Sequence, residues 1–482
     1  MQNLIRRFNL DNLLFLSVLV LVVTIPLLPK FPIFSVPGTF VAIRAEDFLI
    51  AAIGILLIFK IFPQILEFFS DNLNLAVALY LLVGFVSLIS AIFVTDTVLS
   101  HLGALHYLRR IEYFLPLFLG MVAIKTTRQS VLALSLLFAV TVGVIFYGIG
   151  QIYFGFPVIS TANEEYSKGL LLPLTEGARV NSTFAGSYDL AAFLTIVIST
   201  GFAFLAGASL SFRQKLPARI GLFLIILASY WLLLNTESRI SFFALLVGLV
   251  MVSILIRKKV LIFLVVAATV LGLVLSPNLA GRFGLTVHYG IKFLQQKLTT
   301  SLPNASAQIS KPPVLPQDYS PPPATKPAQP VTAKTEKPAP GEPADLPSRI
   351  VYRSGGIRFN VEWPRAVRAF AKNPILGTGY SSITLATDND YLRALGETGA
   401  LGLASFSLIF VVIFRKILSF FQKAGEGVEK AIVAGITGLT VSLLVIAFFI
   451  DIFEASKIAI LFWLLMGILV SIIKIAKPTA NV

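Results

Sequence analysis

The chain has 482 residues, 56% of them hydrophobic and 13% charged, with a formal net charge of +15. Soluble domains average about 25% charged residues, so this composition is that of a membrane protein. Without cysteine there can be no disulfide framework, Cys-ligated zinc or iron–sulfur centre, and no nucleic-acid-binding motif stands behind the positive charge.

The apolar runs are continuous, as in LLFLSVLVLVVTIPLL over 13–28. A barrel strand would interleave polar residues, and a bilayer core needs about 20 apolar residues per helix. The expected fold is therefore all-α: a polytopic integral membrane protein. Twelve spans are expected, at 11–29, 47–66, 73–94, 105–124, 130–153, 188–209, 218–235, 239–256, 260–276, 392–414, 431–450 and 457–476. The first follows Arg6 and Arg7 but lacks a small-residue cleavage site, so it reads as a retained helix. Lys60 and Pro63 interrupt the second, and Arg109, Arg110 and Glu112 open the fourth.

If twelve spans alternate, Arg6/Arg7, Lys125/Arg128, Arg213/Lys215/Arg219, Arg257/Lys258/Lys259, Arg415/Lys416 and Lys474/Lys477 share one side. The positive-inside rule makes that side cytoplasmic, with both termini inside and the chain in the cytoplasmic (inner) membrane. Residues 1–276 then hold spans one to nine, 277–391 form an outer loop, and 392–482 hold the last three spans. A second long loop, 154–187, also faces outward.

The outer loop has two parts. Residues 301–347 are rich in proline, alanine, lysine and threonine without apolar periodicity, which predicts a disordered tether. Residues 355–373 predict an amphipathic helix, with Ile357, Val361, Ala366, Val367 and Phe370 apolar and Arg358, Arg365, Arg368 and Lys372 basic. Asn373-Pro374 ends it, and Gly377 and Gly379 make a turn.

Charge beside hydrocarbon is costly and marks a site, a pair or a snorkelling end. Four outward places carry it. In HLGALHYLRRIEYF, Arg109 and Arg110 sit at the mouth of the fourth span, and an Arg–Glu pair with Glu112 is the structural alternative. His101 and His106, five apart, share no helical face, so no histidine metal site is expected. In EGARVNSTFAGSYDLAAFL, Arg179 precedes a turn into the sixth span, where Asp189 reads as a helix cap. In NTESRISFF, Arg239 stands at a helix start, where the macrodipole disfavours a cation, so it should have a partner: Glu237 or an anionic ligand. In TDNDYLRALGETGALG, Thr387 reads as the cap, and Asp390, Arg393 and Glu397 as pairs along one face. Asp388 and Asn389 are left at the helix mouth. Arginine forks match phosphate oxygens, so Arg179, Arg239 and Arg358 on one surface suit a lipid-linked pyrophosphate.

From about Arg179 onward, and most strongly over 355–402, the chain resembles the O-antigen ligase / O-antigen polymerase superfamily. The resemblance rests on Arg358, Trp363, Pro374, Gly377, Gly379, Asn389, Tyr391, Glu397, Gly399 and Gly402 in order, with RVNSTFAGSYDLAAFL and TESR before them. Where ligases usually carry histidine, this chain has Asp388. The resemblance implies an undecaprenyl-pyrophosphate glycan donor, a glycan, lipid or protein acceptor, inverting transfer, and no metal or nucleotide cofactor. The residues expected to act in catalysis are Asp388, Asn389, Arg239 and Arg358, with Arg179, Arg109, Arg110 and Tyr391 expected to bind substrate. The rival reading is a transporter or flippase of lipid-linked saccharides. That class calls for mid-span charges, paired broken helices and inverted repeats, and the sequence shows few mid-span charges and no repeat.

Overall fold

The computed structural model describes residues 9–30, 32–36, 42–158, 179–207, 216–281, 283–284, 358–383 and 387–476. The expected tether, 301–347, and Ile357 lie outside them. Helices α1 (Leu10–Leu27), α2 (Ala45–Ile61), α3 (Ile65–Ser70), α4 (Asn72–Phe93), α5 (Ser100–Ala123) and α6 (Thr127–Tyr153) are followed by α7 (Ser187–Gly207), α8 (Leu216–Asn235), α9 (Arg239–Leu255) and α10 (Val260–Leu275). Further along the chain come α11 (Trp363–Lys372), α12 (Asp390–Lys423), α13 (Val428–Ile446) and α14 (Ser456–Ile475). A helix covers each of the twelve expected segments. Among the described residues nine helices are long and apolar enough to cross a membrane, α2 and α3 forming one of them across the turn at Pro63. Of the other three, α9 and α10 are apolar but have 17 and 16 residues, and α5 carries Arg109, Arg110 and Glu112 near its middle, since it begins at Ser100 and not at the charges as expected. A two-stranded antiparallel ribbon, β1 (Pro32–Ser35) with β2 (Ala42–Arg44), joins α1 to α2 and was not expected.

Helices α14, α7 and α13 form the interior, with 89, 83 and 78% of their spanning windows buried against 22% for the α2–α3 span and α8. Lipid is as apolar as leucine, so close backbone approach, not water exclusion, drives such packing. Gly120 of α5 and Gly467 of α14 show it. A Cβ on Gly467 would lie 2.2 Å from the Leu117 carbonyl oxygen, and one on Gly120 2.7 Å from that of Leu464.

Side-chain bonds sort the loops into two ends. At one end Lys416 and Lys474 both reach Asp71, at 3.0 and 3.1 Å, Thr127 bonds Glu429, and Lys258 donates to the Ala206 carbonyl. Several of the basic short loops grouped from sequence meet here. The opposite end joins the ribbon, the starts of α5, α7 and α9, residues 358–383 and 387–390, and the loop 447–455.

The second end is organised by a break in α12. Gly399 adopts φ 68 and ψ −169 inside that helix. The carbonyls freed at Gly396 and Glu397 accept the amides of Thr378 and Gly379, while Ala400 and Leu401 donate to Pro374 and Ile375. The segments NPILGTGY and GETGALG are thus two halves of one interlock. Ser87 adds bonds to the Leu376 and Glu397 carbonyls. A Cβ on Gly377 (φ 68) would meet the Glu397 backbone at 2.5 Å, so this contact requires glycine.

Helix α11 lies against the outer piece of α12. Its buried residues are Ala366 and Ala369, packed with Ile383 and Leu392, while Val367 is 50% exposed. Of the apolar face expected from sequence, Ala366 is buried as expected, while Val367 is exposed and Ala369 takes its place. Small residues allow the approach to Gly396, where the Ala366 carbonyl would lie 3.0 Å from an added Cβ.

Candidate functional site

Arg358 opens a single wide helical turn, Arg358–Glu362, that leads into α11; such turns recur at functional positions. Its Nε and Nη2 reach the same oxygen, Asp388 Oδ2, at 3.0 and 2.9 Å. Burial opposes the charge on Arg358, but the Asp388 carboxylate and the Tyr188 hydroxyl outweigh it and raise its pKa above the ordinary arginine value. Asp388 is not left alone at the helix mouth, as the sequence suggested. It sits at φ 49, a left-handed conformation that costs about 1–3 kcal/mol and clusters at functional sites.

Tyr188, in the first turn of α7, is the link to a second arginine. Arg179 Nη1 lies 3.3 Å from its hydroxyl and the guanidinium 5.7 Å from its ring. Arg179 also pairs with Glu237 at 3.8 Å, and Glu237 accepts from Asn278. Arg239 is the first residue of α9, two after Glu237 and behind the Ser238 cap. Arg179 thus contacts Tyr188, whose hydroxyl also bears electrostatically on Arg358, the partner of Asp388, and Arg239 follows on the turn that carries Glu237. Glu237, one of two partners expected for Arg239, pairs with Arg179.

Asn389 is the true cap of α12. Its Oδ1 accepts the amides of Tyr391 and Leu392, and the residue is 5% exposed. Asparagine ranks among the best caps, which accounts for its displacing Thr387 from that role. Tyr391 faces the bundle, its hydroxyl on the Leu444 carbonyl and its ring 4.5 Å from that of Phe448.

Arg109 and Arg110 separate although adjacent in the chain. Arg109 pairs with Asp47 at 3.3 Å, across to α2. Arg110 bonds Glu454, lies 4.0 Å from Glu397 and stacks 5.4 Å from the Tyr380 ring. Arg393 completes this buried network: Asp451 at 3.0 Å, Glu397 at 3.5 Å and Glu454 at 3.9 Å. The i,i+4 pair with Glu397 matches expectation. The pairing of Asp390 with Arg393 does not: the Asp390 carboxylate instead accepts the amides of Ile452 and Phe453. Burial alone would raise the Glu454 pKa, but Arg110 and Arg393 together lower it. Asp189 pairs with Lys30 at 3.7 Å.

Asp451 and Glu454 played no part in the sequence reading. The signal was present: IDIFEAS sets two carboxylates between two apolar runs at the same end of the bundle as the other four charged places.

The family model described as O-antigen ligase matches residues 220–407. The match supports the resemblance to the O-antigen ligase superfamily, over a shorter stretch than the sequence reading gave it. It includes Arg239, Arg358, Asp388, Asn389 and Tyr391 and excludes Arg179, Arg109 and Arg110. No curated protein matches the chain.

Proposed function

We propose that the chain is a membrane glycosyltransferase that transfers or polymerises glycan from an undecaprenyl-pyrophosphate-linked donor at the outer face of the cytoplasmic membrane. The observation that carries this reading is the Arg358–Asp388 pair, placed within the matched segment and one tyrosine from Arg179. A carboxylate alone would repel a pyrophosphate. One already held by arginine does not, and the same arginine offers its fork to phosphate oxygens.

The reaction follows from that competition. Donor pyrophosphate draws Arg358 toward it, with Arg179 and Arg239 alongside. Asp388 then gives up part of its contact with Arg358, and its carboxylate is open to the acceptor hydroxyl. The acceptor hydroxyl oxygen, on a glycan, lipid or protein, attacks the anomeric carbon, and its proton passes to Asp388. The bond from that carbon to the pyrophosphate oxygen breaks with its electron pair on the leaving group, whose charge the arginines stabilise. Asn389 and Tyr391 hold the start of α12 in this arrangement, and Arg110 braces it through Glu397 and Glu454.

Arg358→Lys keeps the charge and removes the fork. Glycan attachment, read as the length and amount of surface glycan in cells carrying the variant, should fall by about 10²-fold, the usual cost of losing one preorganised donor. Normal attachment with normal accumulation of Arg358→Lys would refute the assignment.

A further inference from the structure

The loop 447–455 lies outside the matched segment, and the reading above gives Asp451 no role in it. Its carboxylate is aimed at the mouth of α12. Oδ2 accepts the Thr387 amide at 2.7 Å, and Oδ1 accepts the Asn389 amide at 2.8 Å. These are the amides on either side of Asp388, the residue held at φ 49. Arg393 Nη1 joins Oδ2 at 3.0 Å. The hold is returned from the other strand of chain. The Asp390 carboxylate accepts Ile452 and Phe453, and the Asp390 amide donates to the Ala447 carbonyl. Asp451 is 9% exposed and Asp390 7%, so the clasp is shut off from competing water.

We propose that Asp451 is a positioning residue for glycan transfer: by gripping the two amides that flank Asp388, it fixes the turn that aims the Asp388 carboxylate at Arg358. This rests on the reading of Arg358 and Asp388 as the reacting pair. A charge partner for Arg393 would need one carboxylate oxygen and no particular register. Here each oxygen takes a different amide, and the residue between those amides is the one that contacts Arg358.

The cysteine-free chain permits a test that does not depend on the glycan. In the Asp388→Cys variant the new thiol faces Arg358, and reactivity toward an impermeant maleimide is followed against pH. A free thiol titrates at about 8.5 and falls beside arginine. With Asp451 intact the midpoint should lie about one unit or more below that value. Adding Asp451→Glu keeps the negative charge near Arg393 but lengthens the arm, so that both amides cannot be gripped; the midpoint should return at least half of the way. Asp71→Asn, at the opposite end, should leave it in place. In the chain that retains Asp388, Asp451→Glu should lower surface glycan attachment at least tenfold at normal accumulation.

An unmoved midpoint in Asp451→Glu refutes the positioning role. A moved midpoint with undiminished attachment refutes the assignment of chemistry to Asp388, and the role of Asp451 in that chemistry with it. Should Asp388→Cys fail to accumulate, hydrogen exchange of the Thr387 and Asn389 amides in the Asp388 chain reads the same hold. It should be faster in Asp451→Glu, and unchanged exchange is equally a refutation.

Discussion

Replacing Arg393 by methionine should loosen one end of the molecule and spare the rest. The guanidinium is 12% exposed and lies 3.0, 3.5 and 3.9 Å from Asp451, Glu397 and Glu454. Methionine fills similar apolar volume but strips the cation, leaving those three carboxylates with Arg110, which reaches two of them. Breaking a buried pair by removing one partner costs about 3–5 kcal/mol, because the abandoned charge stays buried. Every 1.4 kcal/mol is tenfold in an equilibrium, so local opening of this end should become about 10² to 4 × 10³ times more frequent. Hydrogen exchange resolved by peptide provides the assay. Amides of 387–392 and 450–455 should exchange faster by that factor, while α13 and the middle of α14 keep wild-type protection. Arg415→Met, at an exposed position, serves as the neutral comparison. Unchanged protection of 450–455 in Arg393→Met would show that Arg393 does not hold the loop.

Three further outcomes are expected. Gly377→Ala puts a Cβ 2.5 Å from the Glu397 backbone at φ 68, so the variant should accumulate poorly or melt well below wild type; a normal melt would refute the interlock. Glu454→Gln should lower the thermal midpoint at neutral pH. The folded-state pKa of Glu454 is lowered, so its contribution is complete above the ordinary glutamate value of 4.5 and vanishes as pH falls through the lower folded value. The gap between variant and wild type should therefore persist to pH 4.5 and close only below it, and a gap closing at higher pH contradicts the Arg110 and Arg393 assignment. Single cysteines at Ser320 and Ser211 should label from opposite sides in intact cells, Ser320 from outside, and labelling only at Ser211 would invert the orientation.

Helix positions were legible because hydrocarbon imposes one simple demand, an unbroken apolar run, and each expected span has its helix. The shorter α9 and α10 were legible for the same reason, although at about 1.5 Å per residue they reach only about 24–26 Å. The site was legible as a set of arginines, since charge at a membrane surface stands out one residue at a time. Its pairings were not. Arg358 meets Asp388 across 30 positions and Arg393 meets Asp451 across 58, distances over which periodicity carries no information. Asn389, and not the expected Thr387, caps α12, because which of two neighbouring polar residues caps a helix depends on where the backbone turns into it. The glycines at 377 and 399 were read as turn and motif positions, although each is needed because the other segment's backbone passes within van der Waals distance.

The clasp between 387–390 and 447–453 also sets an order on synthesis. Apart from Glu397, the acidic partners of Arg393 and both amides taken by Asp390 belong to a loop made roughly sixty residues later. When α12 first enters the bilayer, its charged mouth must wait, hydrated or held by insertion machinery, until α13 has crossed and brought that loop back. Domains elsewhere mature from the N-terminus as they emerge. Here the geometry around Asp388 can close only after α13 is in place, so a chain halted between the two would carry α12 with its clasp open.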